Sequence, residues 1–265
     1  MAGLSDRMMA VAGMVTPGKQ VADIGCDHAY TAIYLMEAGI AAKVIAMDIG
    51  AGPLEIAKKN IDAAGLSDRI ETRLSDGFEK LNIGETDCAV IAGMGGGLII
   101  SILEKGKDII VPGYELILSP QSDISEVRRY LRENGHRINK EIIIYDQGKM
   151  YNIIRVGAFG GLMPDEVQGV VGMNDNSDIF EDTKARETNE LFDEFGEYLL
   201  NHPTDIYKDY IDLTIKKKKD LIARLTNCPG ESVSERLGLI EKELGMAEKA
   251  RDYIEGLTYG KGKDD

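Results

Sequence analysis

The chain has 265 residues, 43% of them hydrophobic and 29% charged, with a formal net charge of −14. No run approaches the roughly 20 apolar residues of a membrane span, and the amino terminus shows no secretory pattern, so a cytoplasmic, membrane-free protein is expected. Cys26, Cys88 and Cys228 are scattered and odd in number, which argues against a disulfide framework or a metal site and fits a reducing compartment.

Residues 1–160 carry 17 basic and 21 acidic side chains, so most of the negative charge falls in the last 105 residues. Phosphate binding draws on clustered Lys and Arg. The nearly balanced amino-terminal part therefore leaves room for local basic patches, whatever the total charge. A monomer is expected.

In chain order, a helix is predicted near Leu4–Val15, closed by Pro17-Gly18. Short β-branched runs then alternate with helical patterns, the signature of a parallel sheet with crossover helices. The strands are read at Gln20–Ile24, Lys43–Asp48, Ile70–Leu74, Cys88–Ala92 and Glu115–Ser119. Helices are read at Tyr30–Ala38, Pro53–Ala64, Gly97–Lys105 and Ile124–Asn134, with Gly39, Gly65 and Gly135 as their stops. Arg137–Tyr145 and Met150–Phe159 follow as a hairpin around Asp146–Lys149. Five parallel strands closed by an antiparallel pair form the layout of the class I methyltransferase sheet: α/β, Rossmann-like, mostly parallel and seven-stranded. Dehydrogenase Rossmann domains generally lack the closing hairpin.

This first domain is assigned to residues 1–159. Residues 160–203 read as a linker and connecting segment, in which 160–190, with Gly160-Gly161 and a polar Asn174–Ser177 stretch, has weak local structure. Residues 204–265 read as an α-helical hairpin or coiled coil. Ile211, Ile215, Ile222 and Leu225 form one apolar seam, and Val233, Leu237, Ile240, Leu244 and Ala247 the other. Asn227-Cys228-Pro229-Gly230 makes the turn, with Ser232 or Ser234 as cap.

Chemistry concentrates at the strand ends. Val21–Tyr30 runs from a strand through Gly25 directly into a helix, presenting backbone N–H groups where open α/β sheets bind ligands. The stretch is not G-x-G-x-x-G. Asp23 and Asp27 would repel a pyrophosphate but suit the cationic sulfonium and amino group of S-adenosylmethionine. The plain alternative is a tight turn with an Asp cap. Asp48, with Ile49 beside it, ends the second strand, where a carboxylate can accept both ribose hydroxyls. Asp76-Gly77 follows the third strand, where an Asp can accept from an adenine amino group or simply make a turn. The fourth strand ends in Ala92-Gly93-Met94-Gly95-Gly96-Gly97, a permissive loop able to lie against a flat base and to flex for closure. It lacks the Lys-Ser/Thr ending of a P-loop. The Asn/Asp-Pro-Pro-aromatic motif of many exocyclic-amine methyltransferases is absent.

Ala22–Tyr30 and Ile91–Gly96, with Leu118-Ser119-Pro120-Gln121 after the fifth strand, resemble the TrmK family. These are bacterial tRNA (adenine-N1)-methyltransferases that modify position 22. The resemblance spans residues 4–159, and the helical hairpin is similar to the family's carboxyl-terminal coiled coil. Cys26 stands where many members carry Ser, and Ser119–Ser122 replaces a more usual Gln-Pro-Asn.

The resemblance implies S-adenosylmethionine as cofactor, held by Asp23, Gly25, Asp48, Ile49, Asp76, Gly77, Ala92, Gly93 and Met94. It implies tRNA as partner and adenine N1 as nucleophile. Asp27 then supplies negative potential near the base or accepts its 6-amino proton, and His28 is the second catalytic candidate. Tyr30, Gly95, Gly96, Pro120 and Gln121 fall on the substrate side. Phosphates would meet Arg7 and a row of Arg128, Arg129, Arg132, Arg137 and Lys140, with Lys216–Lys219 as a distal contact. Two readings compete: a methyltransferase acting on a small molecule or protein, which the acidic balance favours, and a non-catalytic RNA-binding protein of the same fold. A nicotinamide dehydrogenase is disfavoured by the missing glycine fingerprint.

Overall fold

A computed structural model describes residues 4–157, 178–226 and 231–260. The chain divides into two compact units, Met1–Gly172 and Met173–Asp265.

The first unit opens with α1 (Asp6–Ala12), whose Ser5 side chain accepts from the Met8 N–H. It continues as β1 (Gln20–Ile24), α2 (Tyr30–Glu37), β2 (Lys43–Asp48), α3 (Ala51–Ala63) and β3 (Ile70–Leu74). Next come β4 (Cys88–Ala92), α4 (Gly96–Lys105), β5 (Glu115–Ser119), α5 (Ile124–Glu133), β6 (Ile138–Asp146) and β7 (Lys149–Val156). Helix α3 starts two residues before Pro53, which still falls in the first turn, where a missing N–H costs nothing. Gly39, Gly65 and Gly135 adopt φ of +66°, +69° and +72° just past α2, α3 and α5, the left-handed geometry that closes a helix.

The seven strands lie in the order β3-β2-β1-β4-β5-β7-β6, parallel except where β7 runs antiparallel to β5 and β6. The closing hairpin turns on two residues, Gln147 (φ +47°) and Gly148 (φ +84°), tighter than the four-residue connection expected. Its predicted extension to Phe159 lies outside the described residues.

Each central strand feeds both faces. Val21, Val44, Ala46, Cys88 and Val90 join a core with residues of α1, α2 and α3. Ala22, Ile24, Ile45, Met47, Ala89 and Ile91 join a second core with α4 and α5. Burial on both sides explains why these strands read as continuous apolar runs. Since successive residues alternate faces, Asp23 points to the α1–α3 side among aliphatic neighbours. Polarity there needs a reason.

In the second unit the expectation of weak structure across residues 160–190 is corrected for the residues described from 178 on. Helix α6 (Asp178–Phe195) starts there and α7 (Glu197–Asn201) follows, while residues 160–177 lie outside the described residues. Gly196, at φ +82°, divides the two helices. Buried Leu191, Phe195, Leu199 and Leu200 supply their apolar face. Helix α8 (Asp205–Leu225) is capped by the Thr204 hydroxyl, which accepts from the Tyr207 N–H, and α9 (Glu231–Gly260) packs along α8. Ile211, Ile215, Ile240 and Ala247 of the expected seams are buried, and Ala250 and Ile254 continue the second seam. The turn Asn227–Gly230 lies outside the described residues. Ser232 and Ser234 fall inside α9 rather than capping it.

Candidate active site

At the carboxyl edge of the sheet a cleft of about 560 Å³ opens where β1 lies between β2 and β4, the point at which the strand order reverses. Its floor is the β1–α2 turn. The N–H groups of Gly25 and Cys26 both donate to the Met47 carbonyl, at 2.8 and 2.9 Å, pinning the turn to β2. Asp27 and Ala29 then take φ of +49° and +61°. Left-handed backbone at non-glycine residues costs roughly 1–2 kcal/mol each, so this turn holds its shape against local preference.

Asp23 is 4% exposed, with its Oδ2 buried and lacking any hydrogen-bond partner. Burial, helped by the nearby Asp48 charge, raises its pKa to about 7, against the opposing pull of a hydrogen bond from the Ala32 N–H. Asp48 is organised differently. One oxygen accepts from the Asp27 N–H at 3.2 Å and the other from the Gly50 N–H at 2.8 Å, so it ties the β1 turn to the start of α3. Asp27 is largely exposed, 3.5 Å from His28 Nε2, and His28 meets Tyr30 edge-on with ring centroids 5.9 Å apart. Buried beneath them, Cys26 has its thiol pKa pushed far up, by desolvation first and then by Asp23, Asp48 and Asp27. It stays a protonated, inert group.

The cleft thus gathers Asp23, Gly25, Asp27, His28, Tyr30, Asp48, Ala92, Gly93, Met94, Gln121 and Arg7 of the predicted residues. Leu4, Ser5, Met8, Cys26 and Thr31 line it as well and were not foreseen. The signal for the first three was the apolar spacing of the leading helix, which marks a packed face without saying what it faces. Asp76, Gly77, Ile49, Gly95, Gly96 and Pro120 are not among its lining residues. Asp76 is held by Lys105 Nζ at 2.6 Å, Ile49 is 72% exposed, and Pro120 is buried.

The glycine-rich loop is bonded along its length to the loop that follows β5. Gly93 N–H donates to Ser119 O, Gln121 N–H to Met94 O and Gly96 N–H to Ser122 O, at 2.9–3.2 Å. A Cβ on Gly96 would lie 2.6 and 2.7 Å from the carbonyl oxygens of Ser122 and Asp123. Glycine is needed there for close packing of two loops.

Arg128 is also corrected. It is 5% exposed, and its Nη2 donates to Glu141 Oε1 at 2.7 Å, which also accepts from Asn152 Nδ2 at 2.9 Å. It is a structural ion pair beneath α5, not a phosphate contact. Arg129, Arg132, Arg137 and Lys140 remain at the surface. In the second unit Lys218 and Lys219 pair with Glu243 and Glu248 of α9, at 2.5 and 2.8 Å.

S-adenosylmethionine suits this donor set. The orphaned Asp23 oxygen offers an acceptor for a cationic amine. Gly25 lets the Met94 side chain close directly against the β1–α2 turn, since a Cβ there would sit 2.2 Å from Met94 Cε. Among the described residues no group of three His, Cys, Asp or Glu could hold a metal ion, and no helix is long and apolar enough to cross a membrane.

The family described as Methyltransferase domain matches residues 4–154. A tRNA (adenine(22)-N(1))-methyltransferase of Bacillus subtilis is 38% identical over 151 residues, which are 57% of this chain and 63% of that enzyme, so the match spans just under two thirds of its length. The crystal structure of the B. subtilis M1A22 tRNA methyltransferase TrmK is 26% identical, with a TM-score of 0.75 over 95% of this chain and 100% of that one. A Streptococcus pneumoniae candidate tRNA (m1A22) methyltransferase, solved with S-adenosyl-L-methionine, is also 26% identical, with a TM-score of 0.71 over 94% and 100% of the two chains. By the match over residues 4–154, the chain belongs to the methyltransferase-domain family, and its sheet order is that of the fold it shares with the TrmK structure.

Proposed function

We propose that the protein transfers a methyl group from S-adenosylmethionine to N1 of an adenine in tRNA, at position 22, in the cytoplasm. The observation that carries this reading is the buried Asp23 carboxyl, whose Oδ2 has no partner, beside the engaged carboxylate of Asp48 in one cleft. The bound donor supplies a methyl group made electrophilic by its sulfonium.

The rest is done by the chain. Asp48, fixed by two backbone N–H groups, directs its remaining lone pairs at ribose hydroxyls. Asp76, paired with Lys105 through Oδ2, offers its other oxygen toward the adenine end of the donor. Met94 and Gly93 wall the space between donor and target base. Adenine N1 already carries a lone pair, so no strong base is required. Holding it in line with the breaking S–C bond supplies much of the acceleration, from the roughly 7–11 kcal/mol that orientation can provide. As N1 is alkylated, positive charge moves onto the base. Asp27, held in its left-handed turn at the cleft mouth, stabilises that charge or accepts the 6-amino proton. His28 fixes the Asp27 carboxylate from one side, and Tyr30 offers an exposed ring beside it. The target base must leave any pairing to expose N1. Arg129, Arg132, Arg137 and Lys140 are the phosphate contacts within the first unit.

Incubating purified protein with unmodified tRNA and donor, then digesting the RNA and mapping mass shifts, tests the proposal. A single added methyl on an adenine of the D-arm region is expected, with none on a metabolite panel. Modification of metabolites but not tRNA would reverse it. Binding of tRNA should also weaken steeply with salt, because phosphate contacts release counterions.

A further inference from the structure

The strand order gives each tip of the sheet a share of the reaction. On the proposed reading, Asp48 on β2 and Asp76 after β3 hold the donor's nucleoside, and its sulfonium lies over β1. The space left for the acceptor is then over the tips of β4 and β5. The polar side chain that the loop after β5 brings to the cleft is Gln121. Its backbone is fixed: Pro120 precedes it, and its N–H donates to Met94 O at 2.9 Å. Its side-chain amide is exposed and has no hydrogen-bond partner among the described residues. The amide nitrogen lies 3.8 Å from the position a Gly93 Cβ would take, so the bare backbone of Gly93, at φ +85°, keeps the space in front of it open. Ser119, two residues earlier, is wholly buried, and its hydroxyl likewise lacks a partner. The β5 tip therefore carries polar capacity that the fold does not use.

We infer that Gln121 reads the acceptor adenine along its N6–N7 edge while the methyl group is transferred. The inference rests on the proposed methylation of adenine N1 and deepens it. Alkylation at N1 occupies the Watson–Crick edge, so recognition that coexists with the reaction has to use the other side of the ring. There adenine presents N7 as an acceptor and an N6–H as a donor, the complement of a terminal amide. The Gln121 amide N–H donates to N7, and its carbonyl oxygen accepts from the N6–H on the N7 side. The second N6–H, on the N1 side, stays available to Asp27, so the two residues do not compete. Guanine puts O6 where adenine has its amino group, which sets two acceptors face to face. As positive charge spreads from N1 to the amino group, the bond to the Gln121 oxygen strengthens. The contact thus favours the transition state as well as the choice of base.

The test compares full-length tRNA carrying adenosine or 7-deazaadenosine at the methylated position, with kcat/KM as the readout. The deaza base replaces N7 by C–H and keeps N6 and N1. It also alters N1 basicity, which every form of the enzyme feels equally. The decisive quantity is therefore the adenosine preference of the wild type divided by that of Gln121→Leu. That quotient is expected at about 3- to 10-fold, the range for one neutral hydrogen bond. On native tRNA the leucine variant should lose about 10- to 100-fold, the range for a bidentate base contact, with donor affinity unchanged in calorimetry. Gln121→Glu keeps an acceptor for N6–H but cannot donate to N7. It should also lose the N7 preference, and it serves if the leucine variant does not fold. A quotient near one, or a leucine variant with native turnover, overturns the inference. So does weakened donor binding as the sole defect, which would make Gln121 a donor contact. Wild-type enzyme that methylates neither tRNA overturns the proposed function itself.

Discussion

Two buried charged sites in the same unit behave in opposite ways. Beneath α5, Arg128 donates through Nε and Nη2 to the Glu141 carboxylate, which also accepts from Asn152 Nδ2, and no side-chain atom of the three is left buried without a partner. In the cleft, Asp23 and Arg7 each keep a buried atom unmatched. A satisfied buried charge is architecture, whereas an unsatisfied one is a place kept for something else. The same residue type, arginine, thus serves two ends within one sheet, and its partners rather than its position in the sequence decide which.

The contrast can be broken most forcefully at α5. Arg128→Ala strands Glu141 in the interior and should cost about 3–5 kcal/mol of stability by denaturant unfolding, with donor affinity unchanged in calorimetry. A variant of near-native stability would show that the pair is dispensable. On the cleft side, Asp27→Ala should lower turnover at least ~10²-fold while donor binding stays measurable. Unchanged turnover would remove Asp27 from the chemistry.

Asp23→Asn sharpens the comparison further. The native carboxyl keeps its proton until about pH 7, while the unfolded chain releases it near 3.8. Between those values folding takes up a proton, so this group's contribution to stability declines as pH rises through the window. The asparagine variant should lack that decline and match or exceed wild-type stability at pH 8, yet bind the donor at least ~10-fold more weakly. Greater instability together with full donor affinity would mark Asp23 as structural. Smallest of all, Lys105→Met should leave stability unchanged and raise donor affinity by less than about threefold, since it frees Asp76 from an exposed pair.

Much of this was legible in the sequence because the signals are local. All five parallel strands begin and end at the predicted residues, since each apolar run is bounded by a turn. Asp23, Asp27 and Asp48 could be placed at a ligand edge because an open α/β sheet puts its strand tips there. What stayed hidden depends on long-range partners. Arg128 reads as one more solvated cation on an amphipathic helix, and its burial follows only from Glu141, which shares a strand face with buried Ile143 on β6. Arg7 reads likewise until α1 is laid across the cleft mouth. Helices α6 and α7 escaped notice because Gly196 interrupts their apolar stripe and acidic residues dominate the rest. The glycine run looked like a hinge because a sequence shows the absence of side chains and not the carbonyls that occupy their space.

That last feature carries a consequence for recognition. With Met94 and Gln121 joined through one peptide hydrogen bond, and two more bonding the same pair of loops, the two loops form one joined wall, which on the proposed function faces both donor and acceptor. If a nucleobase is the acceptor, selectivity would then reside in a mould cast during folding, and the right base would not have to drag the backbone into place before its methyl arrives.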